Sequence, residues 1–163
     1  MVTTPNIAEN YNSCMIPFND LKAAFGKYEA ELKNVANKII ESGYFVLGPN
    51  VKAFEKEFAS YIGVEHCFGV GNGTDAIEIG LRAIGVTEKS EVITVANAGG
   101  YTTSACLSIG ATPVYVDIDD NLIISAEAVK NAITTETSAI VVTHLYGQAV
   151  DVDVIRQIAG DVP

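Results

Sequence analysis

Apolar positions near the start of the chain recur at Leu21, Phe25, Tyr28, Leu32, Val35 and Ile39, in steps of four and three that lie on one face of a helix. Asn19-Asp20 supplies N-cap residues, and Ser42-Gly43 supplies the stop. A second helix is predicted after Pro49-Asn50, with Val51, Phe54, Phe58 and Tyr61 on one side and Gly63 at its end. Beyond it the texture changes, and short apolar runs alternate with helical stretches. Cys67 to Val70 reads as a strand, Thr74 to Ile84 as a helix ended by Gly85, and Val92 to Val95 as a strand. A helix over Tyr101 to Ile109 ends at Gly110, and a strand over Pro113 to Val116 runs into the acidic turn Asp117 to Asn121. Ser125 caps a helix through Ile133, Ala139 to Thr143 forms the last clear strand, and Asp151 or Asp153 caps a final helix that stops at Gly160.

The apolar runs do not alternate with polar residues, so both faces of the sheet are expected to be covered. Strand and helix in steady succession predict an α/β fold, with a mainly parallel sheet and right-handed crossovers. The expected organisation is a flexible tail over residues 1–15, helices over 16–65 and a partial α/β domain over 66–163. Asp161-Val162-Pro163 follows a helix stop where the pattern calls for another strand, so the domain is expected to be truncated in mid-fold.

Composition narrows the chemistry. With 163 residues, 48% hydrophobic and 18% charged, the chain can bury a core and is not a disordered polymer. A net charge of -10 argues against a nucleic-acid partner, which needs clustered Lys and Arg. It does not argue against one small phosphorylated ligand, because backbone N–H groups hold phosphate without side-chain charge. Cys14, Cys67 and Cys106 are odd in number and form no C-x-x-C pair, which suits reduced thiols and no metal site. Met1 to Ser13 has no apolar core of a signal peptide, and no apolar run reaches the ~20 residues of a membrane span. A cytoplasmic protein without a membrane partner is expected.

The chemistry-bearing motif is Gly71-Asn72-Gly73-Thr74-Asp75-Ala76, between a predicted strand and a predicted helix. Glycine permits left-handed backbone angles and close approach of a ligand. The first N–H groups of a helix are unpaired, and with the helix dipole they donate to phosphate oxygens. The Thr74 hydroxyl adds a donor, whereas the Asp75 carboxylate must face away or cap the helix. The plain alternative is a capped turn with no ligand. A rival is the dinucleotide fingerprint G-x-G-x-x-A of an NAD-binding domain. It wants an acidic residue about twenty positions on, after the next strand, where Asn97 stands instead.

Further blocks accompany this turn: Ser42-Gly43-Tyr44-Phe45-Val46-Leu47-Gly48-Pro49, Glu91 to Asn97, Gly110 to Asp117, His144-Leu145-Tyr146-Gly147-Gln148 and Asp151-Val152-Asp153. In this order they resemble the DegT family of pyridoxal-phosphate-dependent nucleotide-sugar aminotransferases. The resemblance implies an aspartate-aminotransferase-like large domain, a homodimer, and pyridoxal 5'-phosphate as cofactor. It places Gly73 and Thr74 on the cofactor phosphate, with Asn72 shaping the turn. An aromatic residue after the next strand usually stacks on the cofactor ring, but ungapped matching puts Gly99 there; Tyr101, two residues on, is the candidate to replace it. His144 and Gln148 end a strand where ligands collect and are candidates for cofactor or sugar contact, the alternative for His144 being a hydrogen-bonded turn.

The resemblance also requires a lysine that forms a Schiff base and a carboxylate at the pyridine nitrogen. In the family both follow the strand expected near Val162, and Lys52, Lys89 and Lys130 lie in no matching motif, so no catalytic residue is assigned. The implied function is that of an N-terminal fragment of an enzyme moving an amino group from an amino acid to a keto-sugar nucleotide, as in polysaccharide or antibiotic sugar biosynthesis. The fragment carries the phosphate turn without the lysine. A non-catalytic phosphate- or cofactor-binding module is the other reading.

Overall fold

In the computed structural model, the described residues are 16–163, and they form two compact units that divide between Cys67 and Phe68. The tail expected at residues 1–15 lies outside the described residues.

The first unit is helical. Helix α1 (Leu21–Phe25) is capped by Asp20, whose Oδ1 accepts the Ala23 N–H at 2.9 Å. The single helix expected from the apolar stripe is broken. Gly26–Tyr28 tightens into a 3-10 turn before α2 (Glu29–Ser42) begins. Gly26 explains the break, since glycine is the poorest helix former after proline. Helix α3 (Pro49–Ile62) starts with proline at its first turn, where the missing N–H costs nothing, and closes on Gly63. Phe54 and Phe58, one turn apart on α3, stack with ring centroids 5.4 Å apart.

The second unit holds the sheet. Helix α4 (Gly73–Ala83) is followed by β1 (Glu91–Val95), α5 (Tyr101–Ile109), β2 (Thr112–Val116), α6 (Ala126–Ala132), β3 (Thr137–Ile140) and α7 (Val152–Ala159). The strand order is β2-β1-β3, and both pairings are parallel. Pro113 lies on edge strand β2, where its missing donor breaks no ladder.

The period-two alternation of β1 divides the core. Val92 packs with Ala139 of β3, Leu81 of α4, and Ala105 and Cys106 of α5. Ile93 and Val95 point the other way, onto Val129 of α6 and Ile155 of α7. Helices thus cover both faces, and the near-continuous apolar strands follow from that.

Two strand expectations are corrected. Among the described residues, Cys67 to Val70 joins no β-ladder, and Phe68 is 77% exposed. Apolar composition alone does not make a strand. The last strand is Thr137–Ile140 rather than Ala139–Thr143. Val141 still donates to the Ile93 carbonyl at 2.9 Å before the chain leaves for a turn at Tyr146-Gly147. Ile140 donates to the Pro163 carbonyl at 2.9 Å, so residues after α7 run beside β3.

Candidate functional site

The glycine turn opens helix α4, and its geometry differs from the expected one. Neither Gly71 nor Gly73 has a positive φ. A Cβ on Gly71 would stand 2.5 Å from the Asp75 Oδ2, so this glycine makes room for the Asp75 carboxylate, which lies at Gly71 and not within 4 Å of the Cβ position of Gly73. A Cβ on Gly73 would meet nothing within 4 Å, so the helix start is open to a ligand. Asp75 therefore is not the cap. Asn72 takes that role, with its Oδ1 accepting the Asp75 N–H at 3.0 Å. The Asn72 carbonyl takes the Ala76 N–H at 3.1 Å. The N–H groups of Gly73 and Thr74 are left outside the helix ladder, at the positive end of its dipole.

These atoms face a cleft of about 400 Å³ lined by Asn72, Gly73, Thr74, Ile77 and Tyr101. Ile77 follows Thr74 by three residues, hence on the same side of α4. Tyr101 is the first residue of α5 and is 61% exposed. Its ring edge lies against Gly99, where a Cβ would come within 2.7 Å of Tyr101 Cε2. Three contacts hold the surrounding elements. The Thr103 and Tyr115 hydroxyls lie 2.6 Å apart, joining α5 to β2. Arg82 Nη2 donates to the Ser108 carbonyl at 3.2 Å, joining α4 to α5. Asn97 Nδ2 donates to the Leu122 carbonyl at 2.9 Å and fixes the loop after β1.

The other sequence candidates sit elsewhere. His144 Nδ1 accepts the Val150 N–H at 3.0 Å, which puts the proton of the neutral ring on Nε2. The Gln148 N–H closes a tight turn on the Leu145 carbonyl at 2.9 Å, with Tyr146 at φ 51° and Gly147 at φ 83° between them. Neither His144 nor Gln148 lines the cleft beside Gly73. Asp151 caps α7 through the Val154 N–H at 3.2 Å, and Asp153 lies in its first turn. Ile77 was missed, although its helical spacing from Thr74 was readable. Gly99 was noted only as a departure from the aromatic pattern. Among the described residues, no group of three or more His, Cys, Asp or Glu is placed to hold a metal ion, and no helix is long and apolar enough to cross a membrane. The dinucleotide fingerprint lacks its context, because among the described residues the segment before Gly71 joins no sheet.

Comparison with known proteins identifies the family. The sequence pattern of the DegT/DnrJ/EryC1/StrS aminotransferase family matches residues 27–162. A dTDP-3-amino-3,6-dideoxy-alpha-D-galactopyranose transaminase of Aneurinibacillus thermoaerophilus is 41% identical over 146 residues, which is 89% of this chain and 40% of that protein. A dTDP-3-amino-3,4,6-trideoxy-alpha-D-glucose transaminase of Micromonospora megalomicea subsp. nigra is 40% identical over 136 residues, or 83% of this chain and 36% of that one. Among solved structures, Bacillus subtilis NtdA with bound cofactor PMP superposes with a TM-score of 0.84 at 34% identity, covering 92% of this chain and 35% of that one. Streptomyces venezuelae DesV does so with a TM-score of 0.83 at 36% identity, covering 88% and 39%. The chain therefore spans about 35% to 40% of the length of these relatives, and it belongs to the DegT/DnrJ/EryC1/StrS aminotransferase family.

Proposed function

We propose that the chain is the N-terminal part of a pyridoxal-phosphate-dependent enzyme that moves an amino group from an amino acid to a keto-sugar nucleotide. The observation that carries the reading is the cleft, in which an open helix start and an aromatic ring face the same space. The donor set fits the cofactor. The Gly73 and Thr74 N–H groups and the Thr74 hydroxyl suit a phosphate ester. Tyr101 and Ile77 suit the flat, apolar ring joined to it. When bound, the cofactor supplies an electron sink that lets an amino group pass between substrates. The chain's own part is to anchor the phosphate, orient the ring and keep water from its Ile77 side. Asn72 preserves the helix start by capping it.

The reading assigns the Schiff-base lysine and the pyridine carboxylate to parts of the parent protein outside this chain. It adds a cytoplasmic homodimer whose sites draw on both subunits, and leaves His144 to the hydrogen-bonded turn in which it accepts the Val150 N–H. The nucleotide-sugar class is supported by relatives named as transaminases of dTDP-linked sugars and by a UDP-2-acetamido-2-deoxy-3-oxo-D-glucuronate aminotransferase of Pseudomonas aeruginosa, 36% identical over 146 residues.

The test is to read the native gene downstream of Pro163 and assay the complete product with glutamate and dTDP- or UDP-linked keto-sugars. A frame that continues into an Asp-bearing strand and a loop lysine, with amino transfer, is the expected result. An immediate stop codon, or a complete product that neither binds the cofactor nor transfers the amino group, overturns it.

A further inference from the structure

We propose that Gly99 is a positioning residue for the aromatic wall of the cleft, because the absence of its side chain lets the Tyr101 ring lie where it does. The inference rests on reading the cleft as the cofactor site.

Gly99 and its neighbour Gly100 both have left-handed backbone angles, φ 75° and 74°, and together they turn the chain from β1 into α5. That conformation alone accounts for Gly100, where an added Cβ would meet nothing within 4 Å. Gly99 carries a second demand. A Cβ there would lie 2.7 Å from Cε2, 3.2 Å from Cδ2 and 3.4 Å from Cζ of Tyr101, all along one edge of the ring. That ring edge occupies the space in which a side chain at position 99 would begin. The resemblance to the family had put an aromatic residue at 99. Here the ring starts two residues later and folds back over 99, so a pair of residues does what one does in the family pattern.

The elements under the pair are fixed. Ser104 donates from both its N–H, at 3.0 Å, and its hydroxyl, at 3.1 Å, to the Gly100 carbonyl. The Thr103–Tyr115 contact anchors the same first turn of α5 to β2. A new methyl at 99 would therefore displace the free end of the tyrosine side chain rather than the backbone. The ring would swing off its seat while α5 stayed in place.

A double-mutant cycle on the complete protein tests this, with the dissociation constant for pyridoxal phosphate measured by equilibrium dialysis. Gly99→Ala and Tyr101→Ala are each expected to weaken binding about three- to tenfold, the worth of one aromatic stacking contact. The double variant is expected to bind no more weakly than Tyr101→Ala. The strain of alanine at a positive φ is common to both backgrounds and cancels in the cycle. A Gly99→Ala effect that is equal in both backgrounds, or absent in the wild-type one, overturns the proposal. If Gly99→Ala does not fold, Gly99→Asn, which tolerates a positive φ better, takes its place in the cycle with the same expected and refuting outcomes. Thr74→Ala and competition by inorganic phosphate separate the two levels. If neither changes cofactor binding, the cofactor reading of the cleft fails and takes the proposal with it. If both do and the cycle is additive, only the positioning role fails.

Discussion

Asn72 carries a structural role and a functional one that substitution can separate. Its Oδ1 holds the Asp75 N–H at 3.0 Å, with its own backbone extended at φ -163°. Asn72→Ala removes that acceptor and leaves one more unpaired donor at the start of α4. The site is exposed, so water replaces part of the bond, and the cost is about 1 kcal/mol. For a chain of this length that corresponds to a fall of about 3 °C in Tm, readable by far-ultraviolet circular dichroism. Asn72→Ser and Asn72→Asp keep a capping oxygen and are expected to retain the wild-type Tm.

The two capping variants differ in charge. Asn72 lines the cleft, so a carboxylate at this position faces the phosphate that the Gly73 and Thr74 N–H groups are proposed to hold. For unit charges about 6 Å apart in a largely aqueous dielectric, the repulsion is about 1 kcal/mol, roughly a fivefold loss of affinity. Asn72→Ser is expected to bind inorganic phosphate and pyridoxal phosphate as the wild type does, and Asn72→Asp several-fold more weakly, with the gap narrowing as salt is added. An Asn72→Ala variant with unchanged Tm would refute the capping argument. An Asn72→Asp variant with undiminished affinity would refute the placement of the phosphate.

The remaining predictions concern the core. Thr94 is fully buried in β1, and its hydroxyl has no partner among the described residues; Thr94→Val keeps the shape and removes the stranded group, so it should raise stability by about 1 kcal/mol, and a lower Tm would show that the hydroxyl is engaged. Burial pushes the Cys106 thiol above its ordinary value of 9.0. The unfolded chain then loses this proton before the folded one does, so the thiol's contribution is intact below pH 9.0 and lost as pH rises through the folded value. Denaturant titrations above pH 9 should show a decline that Cys106→Ala lessens, and an identical alkaline decline in the variant would assign it to other groups.

Legibility followed locality. Helix ends were readable because capping is a contact over three or four residues: Asp20, Ser125 and Asp151 each accept an N–H three positions on. Strands were less so, because a strand needs a long-range pairing the local pattern does not name. Val92 and Ile93 pair with β2 on one side and β3 on the other, whereas Cys67 to Val70 joined no ladder among the described residues. The break at Gly26 lay within a stripe whose period was right, and the period outvoted the one residue that could not sustain it.

The glycines of the site show why a motif locates a ligand better than it explains one. A glycine is needed when the backbone must turn left-handed, when a neighbour fills the place of its side chain, or when a ligand does, and all three demands leave the same letter in the sequence. At 71 the neighbour is the Asp75 carboxylate, and at 99 it is the Tyr101 ring. At 73 the space is empty and φ is not positive, so neither a neighbour nor the backbone accounts for it. Of the three, only Gly73 leaves a place for a phosphate oxygen beside unpaired N–H groups. A Gly73→Ala variant should therefore fold with little loss of stability, about 1 kcal/mol in either direction, and yet bind phosphate poorly, because its methyl stands where the ligand would. Loss of folding together with binding would mean that Gly73 serves the turn, and the phosphate would then have to be sought elsewhere on the cleft wall.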